Sequence, residues 1–330
     1  MFWLIMVAGV LLIAIPLIDV LWSALSTRGG GPLTALVTMA CWKGSRLHFR
    51  VTKQHWILEM NAVVTLVMIF LAWVVPMWLG WTLVFSASPE VVVHQLTYDP
   101  STSWDRAYFA GMVFLTLGTG DLVADGSGWR LVSMVASFNG LVIISLTITY
   151  LVSVISAVIE KRKLALTIDA LGDSAVEILE NGWDGDSFDP LEEQLLGISS
   201  DLMEHAERHL AYPVLQYFHP ADSHAALPRS LAMLEDAVTL LADCVDEQVR
   251  PNKLTLQLLR NSIALYCQRI QSVHLSEAEQ PPIPDVQPLR QLGVAICEQS
   301  DCIQACVSRS DERVMLARML QAEGWAWPSK

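Results

Sequence analysis

Three long apolar stretches without charged residues dominate the first half of the chain. They cover residues 2–18, 60–89 and 131–159, and the apolar pattern of the first continues past Asp19. A helix needs about 20 apolar residues to cross a bilayer. The first stretch lacks a basic N-terminal region and is too long for a cleaved signal, so we expect it to be retained. The pattern therefore predicts three transmembrane helices.

Shorter amphipathic patterns follow in the second half of the chain. Several of them begin at a proline, as is common in a first helical turn. The predicted helices cover about residues 164–182, 190–211, 228–248, 252–274, 286–307 and 310–323. The apolar run at residues 33–42 is too short to span a membrane and predicts an interfacial helix in the first linker.

Charges in the loops predict the orientation of the spans. Residues 26–56 contain five basic residues and no acidic residue, and a Lys-Arg-Lys run at 161–163 follows the third span. Residues 87–129 contain five acidic residues and one basic residue. By the positive-inside rule, the first linker and the C-terminal half are cytoplasmic, whereas the N-terminus and residues 87–129 lie outside.

Charge also separates the chain into two parts near Lys163. Residues 1–163 hold 10 basic and 8 acidic residues, whereas residues 164–330 hold 11 basic and 26 acidic residues. The acidic character of the second part argues against nucleic acid as its partner. The six cysteines contain no Cys-x-x-Cys pair, and five of them lie in the part assigned to the cytosol. We expect reduced core thiols.

The sequence Thr-Leu-Gly-Thr-Gly-Asp at residues 116–121 lies on the external side, between the second and third spans. Glycine at every second position lets the backbone leave ordinary φ/ψ space, so that carbonyls can point inward and replace the hydration shell of an ion. The apolar residues 104–115 predict a short helix before it, with Ser103 as N-cap and Asp105 in the first turn.

Non-helical backbone at membrane depth is tolerated only where protein buries it or where it lines a water-filled path. Four copies of residues 116–121 around an axis would provide this shelter. The pattern therefore predicts a homotetramer, in which each chain has three identical subunits as partners, embedded in the lipid bilayer.

Residues 104–160 resemble the pore helix, selectivity filter and inner helix of the potassium channel family. The resemblance implies an aromatic cuff around the filter formed by Tyr108 and Phe109. It also implies a gating hinge at Gly140, which lies twenty residues beyond Gly120. A packing role is the alternative for this glycine, because glycine is frequent in membrane helices.

The resemblance also implies roles for the individual filter residues. The filter would consist of Thr116, Leu117, Gly118, Thr119 and Gly120. Carbonyls of the first four would coordinate permeant K⁺, the Thr116 hydroxyl would add a ligand at the inner end, and no other cofactor is expected. Asp121 would support the outer mouth. Asn139 either faces the cavity and tunes ion occupancy or forms a hydrogen bond between helices.

This chain departs from the family at Thr119, where a Tyr or Phe normally packs against the cuff and sets the width of the filter. A threonine leaves a gap there, so two alternatives stay open: a potassium channel and a weakly selective monovalent cation channel. A third is a non-conducting channel-fold protein that signals or acts as a scaffold through its cytosolic domain. No catalytic motif is found, so we expect no enzyme. The sequence does not identify a regulatory partner or ligand.

The whole chain resembles small bacterial three-span channel proteins through the turn at residues 29–33 and the segment at 209–219. This implies a bacterial inner (plasma) membrane protein. The predicted fold class is an all-α membrane protein with three transmembrane helices, a re-entrant pore helix with a filter loop, and an all-α cytosolic domain. Its predicted parts are a first transmembrane helix (1–26), a cytoplasmic interfacial linker (27–56), a pore module (57–163) with pore helix 104–115, filter 116–121 and inner helix 130–160, and the cytosolic domain (164–330).

Two acidic residues lie within or beside the first two predicted spans. Asp19 and Glu59 fall near the cytoplasmic ends, which favours an anchoring role over ion handling. No span carries the regularly spaced basic residues of a voltage sensor.

Three patterns in the second half could bind metals but lack part of the required ligand set. His205 and His209 are four residues apart in His-Ala-Glu-Arg-His, where the glutamate is misplaced for a zinc hydrolase, so a surface or packing role is favoured. Residues 183–189 have no acidic residue at the twelfth position of a calcium loop and are interpreted as a solvated turn. Cys302 and Cys306 lie one helical turn apart without nearby histidines, which disfavours a shared metal.

Overall fold

A computed structural model of the chain describes residues 2–27, 29–52, 56–118, 120–220, 222–270 and 278–328, without the side chains of residues 49–52 and 56–59. Glu59 therefore lies outside the described side chains. The chain divides into two compact units. We call residues 1–155 and 211–217 the membrane unit, and residues 156–210 and 218–330 the C-terminal unit.

The membrane unit consists of helices and one small antiparallel sheet. Its helices are α1 (Phe2–Leu25), α2 (Pro32–Thr52), α3 (Trp56–Phe85), α4 (Ser103–Phe114) and the first part of α5 (Ser127–Asp169), and its strands are β1 (Val92–His94) and β2 (Leu122–Ala124). Three helical segments are long and apolar enough to cross a membrane, namely Phe2–Leu25, Met60–Phe85 and Ser127–Asp169. They coincide with the three uncharged stretches of the sequence.

Helix α5 extends beyond the predicted inner helix 130–160 at both ends. The prediction followed the uncharged stretch, which stops at Glu160, but a charged residue does not end a helix. The following residues are mostly good helix formers, and the first glycine after them is Gly172. The helix therefore continues to Asp169.

Helices α1 and α3 approach each other closely at a pair of glycines. A Cβ atom on Gly9 would lie 2.8 Å from the carbonyl oxygen of Gly80, and a Cβ on Gly80 would lie 2.7 Å from the carbonyl oxygen of Gly9. Without a side chain at either position, the two backbones can pack directly against each other. Small residues serve this purpose in membrane helices, where lipid is as apolar as the side chains and packing supplies the association energy.

The carboxylate of Asp19 joins three helices of the membrane unit. Its Oδ1 accepts a hydrogen bond from the backbone N–H of Leu33 at 2.7 Å, and its Oδ2 accepts from the N–H of Thr34 at 3.1 Å and from its hydroxyl at 2.6 Å. The Nε1 of Trp73 on α3 also donates to Oδ2, at 2.9 Å. Asp19 on α1 thus caps the N-terminus of α2 and binds α3, and it is only 2% exposed.

Glycine is required beside this carboxylate. A Cβ atom on Gly31 would lie 2.1 Å from Asp19 Oδ1, and the N–H of Gly31 donates to Ser23 Oγ at 2.8 Å. These hydrogen bonds agree with the anchoring role favoured for Asp19, and the described partners are backbone and side-chain donors of α2 and α3.

A short segment from the second half of the chain also belongs to the membrane unit. Residues 211–217 include a 3₁₀ turn at Pro213–Tyr217. The ring of Tyr212 lies 5.9 Å from that of Tyr150 on α5, and the ring of Tyr217 lies 5.3 Å from that of Trp42 on α2. Trp73 completes this aromatic group, because its ring meets Tyr150 edge-on at 5.4 Å.

The C-terminal unit is helical throughout its described residues, apart from loops and an isolated backbone bridge. Beyond the end of α5 its helices are α6 (Ala175–Gly182), α7 (Glu192–Ala211), α8 (Leu227–Asp243), α9 (Lys253–Ile270), α10 (Gln287–Gln291), α11 (Gln299–Ser308) and α12 (Ser310–Glu323), with 3₁₀ turns at Asp189–Leu191 and Ser223–Ala225. Every residue of α8 from Ser230 to Leu241 is buried, and the helix packs against α6, α9, α11 and α12. It forms the centre of the core.

Two acidic residues within α8 are buried but paired. Glu235 accepts a hydrogen bond from Arg309 Nε at 2.8 Å, and Asp236 accepts one from Arg313 Nε at 2.8 Å. The Nε1 of Trp327 also donates to Asp236, at 3.2 Å. Burial nevertheless raises the pKa of Asp236 to about 6, so the removal of water outweighs the arginine.

Three predicted helices of this unit differ from the structure. The helix predicted at 228–248 ends at Asp243, and the other two are divided. The helix predicted at 164–182 is divided, because α5 ends at Asp169 and α6 begins after Ser174, whose side chain accepts from the N–H of Glu177 as an N-cap. The helix predicted at 286–307 is also divided, because Gly293 adopts a left-handed conformation with φ +82° after the single turn of α10. In both places a capping or turn residue ends a pattern that hydrophobicity alone would continue.

Substitution of Asp19 by asparagine should destabilise the membrane unit. An amide keeps one acceptor, but its NH₂ group would face the N–H and hydroxyl donors that now bind Oδ2. Leaving such donors buried and unpaired should cost on the order of 3 kcal/mol. We expect a thermal unfolding midpoint lower by several degrees for the detergent-purified protein.

Asp125→Asn is the matched control, because Asp125 is exposed in the loop before α5. It should leave the midpoint within about 1 °C of the original. Equal midpoints for Asp19→Asn and Asp125→Asn would contradict the structural role assigned to Asp19.

Candidate functional site

Helix α4 begins with a reciprocal capping box. Thr102 has extended backbone dihedrals, and its side chain accepts from the N–H of Asp105 at 3.2 Å, while Asp105 Oδ2 accepts from the N–H of Thr102 at 2.8 Å. The N-cap is therefore Thr102 and not the predicted Ser103, and the helix spans Ser103–Phe114 instead of 104–115. A Thr-x-x-acid spacing satisfies two terminal N–H groups at once, which a cap at Ser103 would not. Hydrogen bonds from Thr102 hold the pKa of Asp105 below its usual value.

Aromatic side chains of α3 support one face of α4. Phe109 is buried, and its ring meets that of Phe85 edge-on at 5.1 Å. The Nε1 of Trp78 donates to the carbonyl oxygen of Ala107 at 3.0 Å. Tyr108 is about half exposed and projects away from this packed face. Of the two predicted cuff residues, the structure places Phe109 against α3 and leaves Tyr108 accessible on the isolated chain.

Helix α5 contacts the C-terminal end of α4. The hydroxyl of Ser137 donates to the carbonyl oxygen of Val113 at 3.0 Å. One turn further along α5, a Cβ atom on Gly140 would lie 1.6 Å from the carbonyl oxygen of Phe114. The last carbonyls of a helix lack partners within it, and here a hydroxyl and a glycine face that end. Gly140 therefore has the packing role that the sequence left as an alternative, and the hinge stays a prediction.

Asn139 forms a hydrogen bond between helices. Its Oδ1 accepts from the Nε1 of Trp81 on α3 at 3.1 Å, and the side chain is buried. This corresponds to the second of the two roles considered for Asn139. This bond joins α5 to α3, the two helices that pack against α4. Asn139 therefore supports the helix that precedes the predicted filter.

The first two residues of the predicted filter form backbone hydrogen bonds with the last turn of α4. The N–H of Thr116 donates to the carbonyl oxygen of Val113 at 3.1 Å, and the N–H of Leu117 donates to that of Met112 at 2.8 Å. Thr116 has φ +56° and Gly118 has φ +89°, so the left-handed conformation occurs at alternate positions. A threonine rarely adopts this conformation, which costs about 1–3 kcal/mol and persists only where the surroundings enforce it.

The filter segment is exposed on the isolated chain. Residues 115–118 and Gly120 are exposed, and Leu117 has 66% of its surface accessible. A Cβ atom on Gly118 or Gly120 would meet no described atom within 4 Å. Thr119 lies outside the described residues. The segment thus projects from the chain with its backbone open to a partner or an ion.

Strands β1 and β2 hold the outer end of this segment. They pair in the register Val92↔Ala124, Val93↔Val123 and His94↔Leu122. The carbonyl oxygen of Asp121 accepts from the N–H of Gln95 at 2.9 Å, Leu122 is buried, and the Asp121 side chain is exposed. These strands were not predicted from the sequence. The run of three valines at residues 91–93 was a signal for β1, because β-branched residues favour strands.

Electrostatically, this arrangement favours a cation at the end of α4. The C-terminal end of a helix carries a partial negative charge of about half an electron. Backbone carbonyls are hard oxygen ligands of the kind that alkali and alkaline-earth cations prefer. The predicted filter residues 116–118 follow this helix end directly, so the described part of the site offers oxygen ligands and a favourable potential.

The remaining metal candidates of the sequence fall in the C-terminal unit. His205 and His209 are buried against Tyr266, with ring centroids 5.9 and 6.3 Å from it. Burial lowers the pKa of both to about 3, so they are neutral packing residues, as favoured. In the turn at 183–189, Asp184 Oδ1 accepts from two backbone N–H groups of the same turn, which agrees with the turn interpretation.

Comparison with known proteins gives a family for the chain. The model of a family described as "Ion channel" matches residues 63–157, which include α4, the filter segment and most of α5 before Glu160. The chain is also similar to "Uncharacterized membrane protein YdjJ" of Bacillus subtilis (strain 168), with 33% identity over 325 residues, which cover 98% of this chain and 94% of that protein. No solved structure gives a significant match. The chain therefore belongs to the pore-loop ion-channel family of the potassium-channel type.

Proposed function

We propose that the protein is a homotetrameric cation channel of the bacterial inner (plasma) membrane that conducts K⁺ through residues 116–120. The observation that carries this proposal is the left-handed backbone at Thr116 and Gly118, directly after the C-terminal end of α4. Left-handed residues that alternate with right-handed ones turn successive carbonyls toward the same side. Four such segments would form rings of carbonyls that replace the hydration shell of K⁺.

The exposure of the filter supports assembly into a tetramer. A segment of open backbone at membrane depth is stable only if protein shelters it or if it lines a water-filled path. On α5, Met134, Phe138 and Leu141 follow a helical spacing and are each more than half exposed. Such an apolar stripe beside an exposed filter fits a surface that packs against neighbouring subunits.

In the proposed orientation, the N-terminus and the filter face the outside, and the C-terminal unit is cytoplasmic. Its basis is the distribution of charge, because residues 26–56 are basic and residues 87–129 are acidic. The capping box at Thr102 and Asp105 then lies at the external end of α4, and the helix points its negative end inward. Cations that leave the filter would meet this potential in the cavity.

The residue at position 119 bears on the selectivity of the proposed channel. Phe109, which the family uses in the cuff, is packed behind α4 against Phe85, so an aromatic wall is present near the filter. A threonine at 119 is too short to fill the space that a tyrosine occupies in the family. The proposal is a potassium channel, and weak selectivity among monovalent cations is the alternative that Thr119 favours.

Purified protein in liposomes should take up Rb⁺ or K⁺ down a concentration gradient. Gly118→Ala should reduce uptake at least about tenfold, because φ +89° at this position places a Cβ in a strained conformation. Gly185→Ala is the matched control, because Gly185 has φ +101° in a loop of the C-terminal unit where a Cβ would meet no described atom. It carries a similar backbone penalty but should conduct normally.

The oligomeric state of each preparation must be measured in detergent before reconstitution. If folded tetramers of the unaltered protein pass neither Rb⁺ nor K⁺, conduction is contradicted. The signalling or scaffold function would then be favoured. Equal loss of flux in Gly118→Ala and Gly185→Ala would contradict a specific role of residues 116–120 in conduction.

Thr119→Tyr should raise the selectivity for K⁺ over Na⁺. The larger ring would fill the gap behind the filter and restrict its width, so the Na⁺ permeability should fall by at least about tenfold, equivalent to about 1.4 kcal/mol. Reversal potentials in K⁺/Na⁺ gradients measure this ratio. Thr119→Val keeps the size of the side chain and serves as the control. If both variants show the ratio of the original protein, the gap is not the cause of its selectivity.

Gly140→Ala separates packing from a hinge. A methyl group 1.6 Å from the Phe114 carbonyl oxygen must displace α5 or α4, at a cost of about 1–3 kcal/mol. We expect a lower thermal midpoint together with altered flux. Gly128→Ala, in the first turn of the same helix with open space around its Cβ, should be neutral or slightly stabilising. An unchanged midpoint with altered flux in Gly140→Ala would instead support a hinge.

A further inference from the structure

Three cysteines that are distant in sequence meet in the C-terminal unit. The Sγ atoms of Cys244, Cys297 and Cys302 all lie within 4.8 Å of one another. Cys244 and Cys302 are buried, whereas Cys297 is partly exposed and gives the group access to solvent. A metal shared by Cys302 and Cys306 was disfavoured from the sequence, and Cys306 is not among the three convergent sulfurs. The residues that do converge come from distant parts of the chain, so helical spacing could not indicate them.

Backbone pairing fixes the position of two of these cysteines. Cys244 is the C-cap of α8, and its carbonyl oxygen accepts from the N–H of Cys297 at 2.9 Å. Next to this bond, Val245 and Ile296 form an isolated antiparallel bridge. Cys302 then lies in the first turns of α11, where its N–H donates to the Glu298 carbonyl oxygen. Three different local structures therefore direct their thiols to one point.

The spacing of the sulfurs is close to that of a common metal ligand set. A tetrahedral zinc ion with sulfur ligands at about 2.3 Å holds those sulfurs about 3.8 Å apart. The Sγ atoms of Cys297 and Cys302 are 3.5 Å apart, so this pair needs an adjustment of about 0.3 Å, and the distances to the Cys244 sulfur are at most 4.8 Å. This distance is much longer than a disulfide bond of about 2.05 Å. Packing of isolated thiols in a core, the simpler explanation for buried cysteine, does not require three sulfurs to converge beside solvent.

A positively charged side chain lies beside the three thiols. The guanidinium of Arg290 donates to the carbonyl oxygen of Cys297 at 2.5 Å, which fixes its position. A fixed positive charge favours the thiolate, which is the form of cysteine that binds a metal.

We propose that Cys244, Cys297 and Cys302 form a binding site for a thiophilic divalent metal ion of the zinc group. Soft thiolate ligands select Zn²⁺ and related d¹⁰ ions over Mg²⁺ or Ca²⁺. Binding converts three thiols to thiolates, releases three protons to solvent and leaves a complex of net charge −1, which the guanidinium of Arg290 compensates. The fourth coordination position is open to water or to an exchangeable ligand. The site joins the end of α8 to the start of α11, so its occupancy would stabilise the core of the C-terminal unit.

Cadmium titration of the full-length protein tests the proposal directly. The protein is purified in detergent, kept reduced with a phosphine and freed of metal with a chelator. We expect an ultraviolet cadmium–thiolate absorption that saturates at one Cd²⁺ per chain, displacement of Cd²⁺ by Zn²⁺, and a higher thermal midpoint with either ion. Cys297→Ser and Cys302→Ser should each weaken binding by more than about tenfold, because each removes a ligand.

Cys306→Ser is the matched control, because Cys306 is a buried cysteine on the same helix as Cys302 and lies outside the group. It should bind one Cd²⁺ with the original affinity. Cys297 is partly exposed, so Cys297→Ser keeps the test valid if Cys302→Ser fails to fold. No absorption in the folded, reduced protein, or unchanged affinity in Cys297→Ser, would overturn the proposal.

Discussion

The membrane unit depends on the buried carboxylate of Asp19. In a hydrocarbon environment no water is present to satisfy a free backbone group, so every helix end that lies within the unit needs a partner from the protein. The N-terminus of α2 is such an end, and Asp19 together with Ser23 supplies acceptors for it. The same carboxylate binds Trp73, whose ring packs against Tyr150 of α5. One ionisable side chain thus connects α1, through Trp73, to the helix that packs against the end of α4.

The same constraint explains how α4 can end inside the protein. Its carbonyls at Met112 and Val113 accept from the N–H groups of Leu117 and Thr116, and α5 packs closely against this end because position 140 has no side chain. Ser137 adds a hydroxyl to one of these carbonyls, and Asn139 binds Trp81 on the opposite helix. The strain at Thr116 is sustained by this supporting structure.

The spans, the short helix before the filter and the family were predictable from the sequence. They rest on long uncharged stretches and on a six-residue motif, which are local signals. The partners of Asp19 were not predictable, because they lie 14 to 54 residues away and depend on how α1, α2 and α3 pack. The strands β1 and β2 have three residues each, too few for an alternating pattern to be recognised. The thiol group was missed for a related reason, since only the folded chain brings Cys244 beside Cys297. Two predicted helices are divided in the structure, because the apolar pattern continues through Gly293 and through the N-cap at Ser174.

Because residues 211–217 belong to the membrane unit, this unit cannot be separated from the C-terminal unit by a single cut in the chain. The chain leaves this unit after residue 155, returns for seven residues and leaves again, so three covalent connections join the two units. A chain shortened after the inner helix would lose Tyr212 and Tyr217, and with them the ring contacts to Tyr150 and Trp42. The membrane unit is therefore not an independent module followed by a separate C-terminal domain. Its own aromatic packing is completed by residues that are translated only after residues 156–210 of the C-terminal unit.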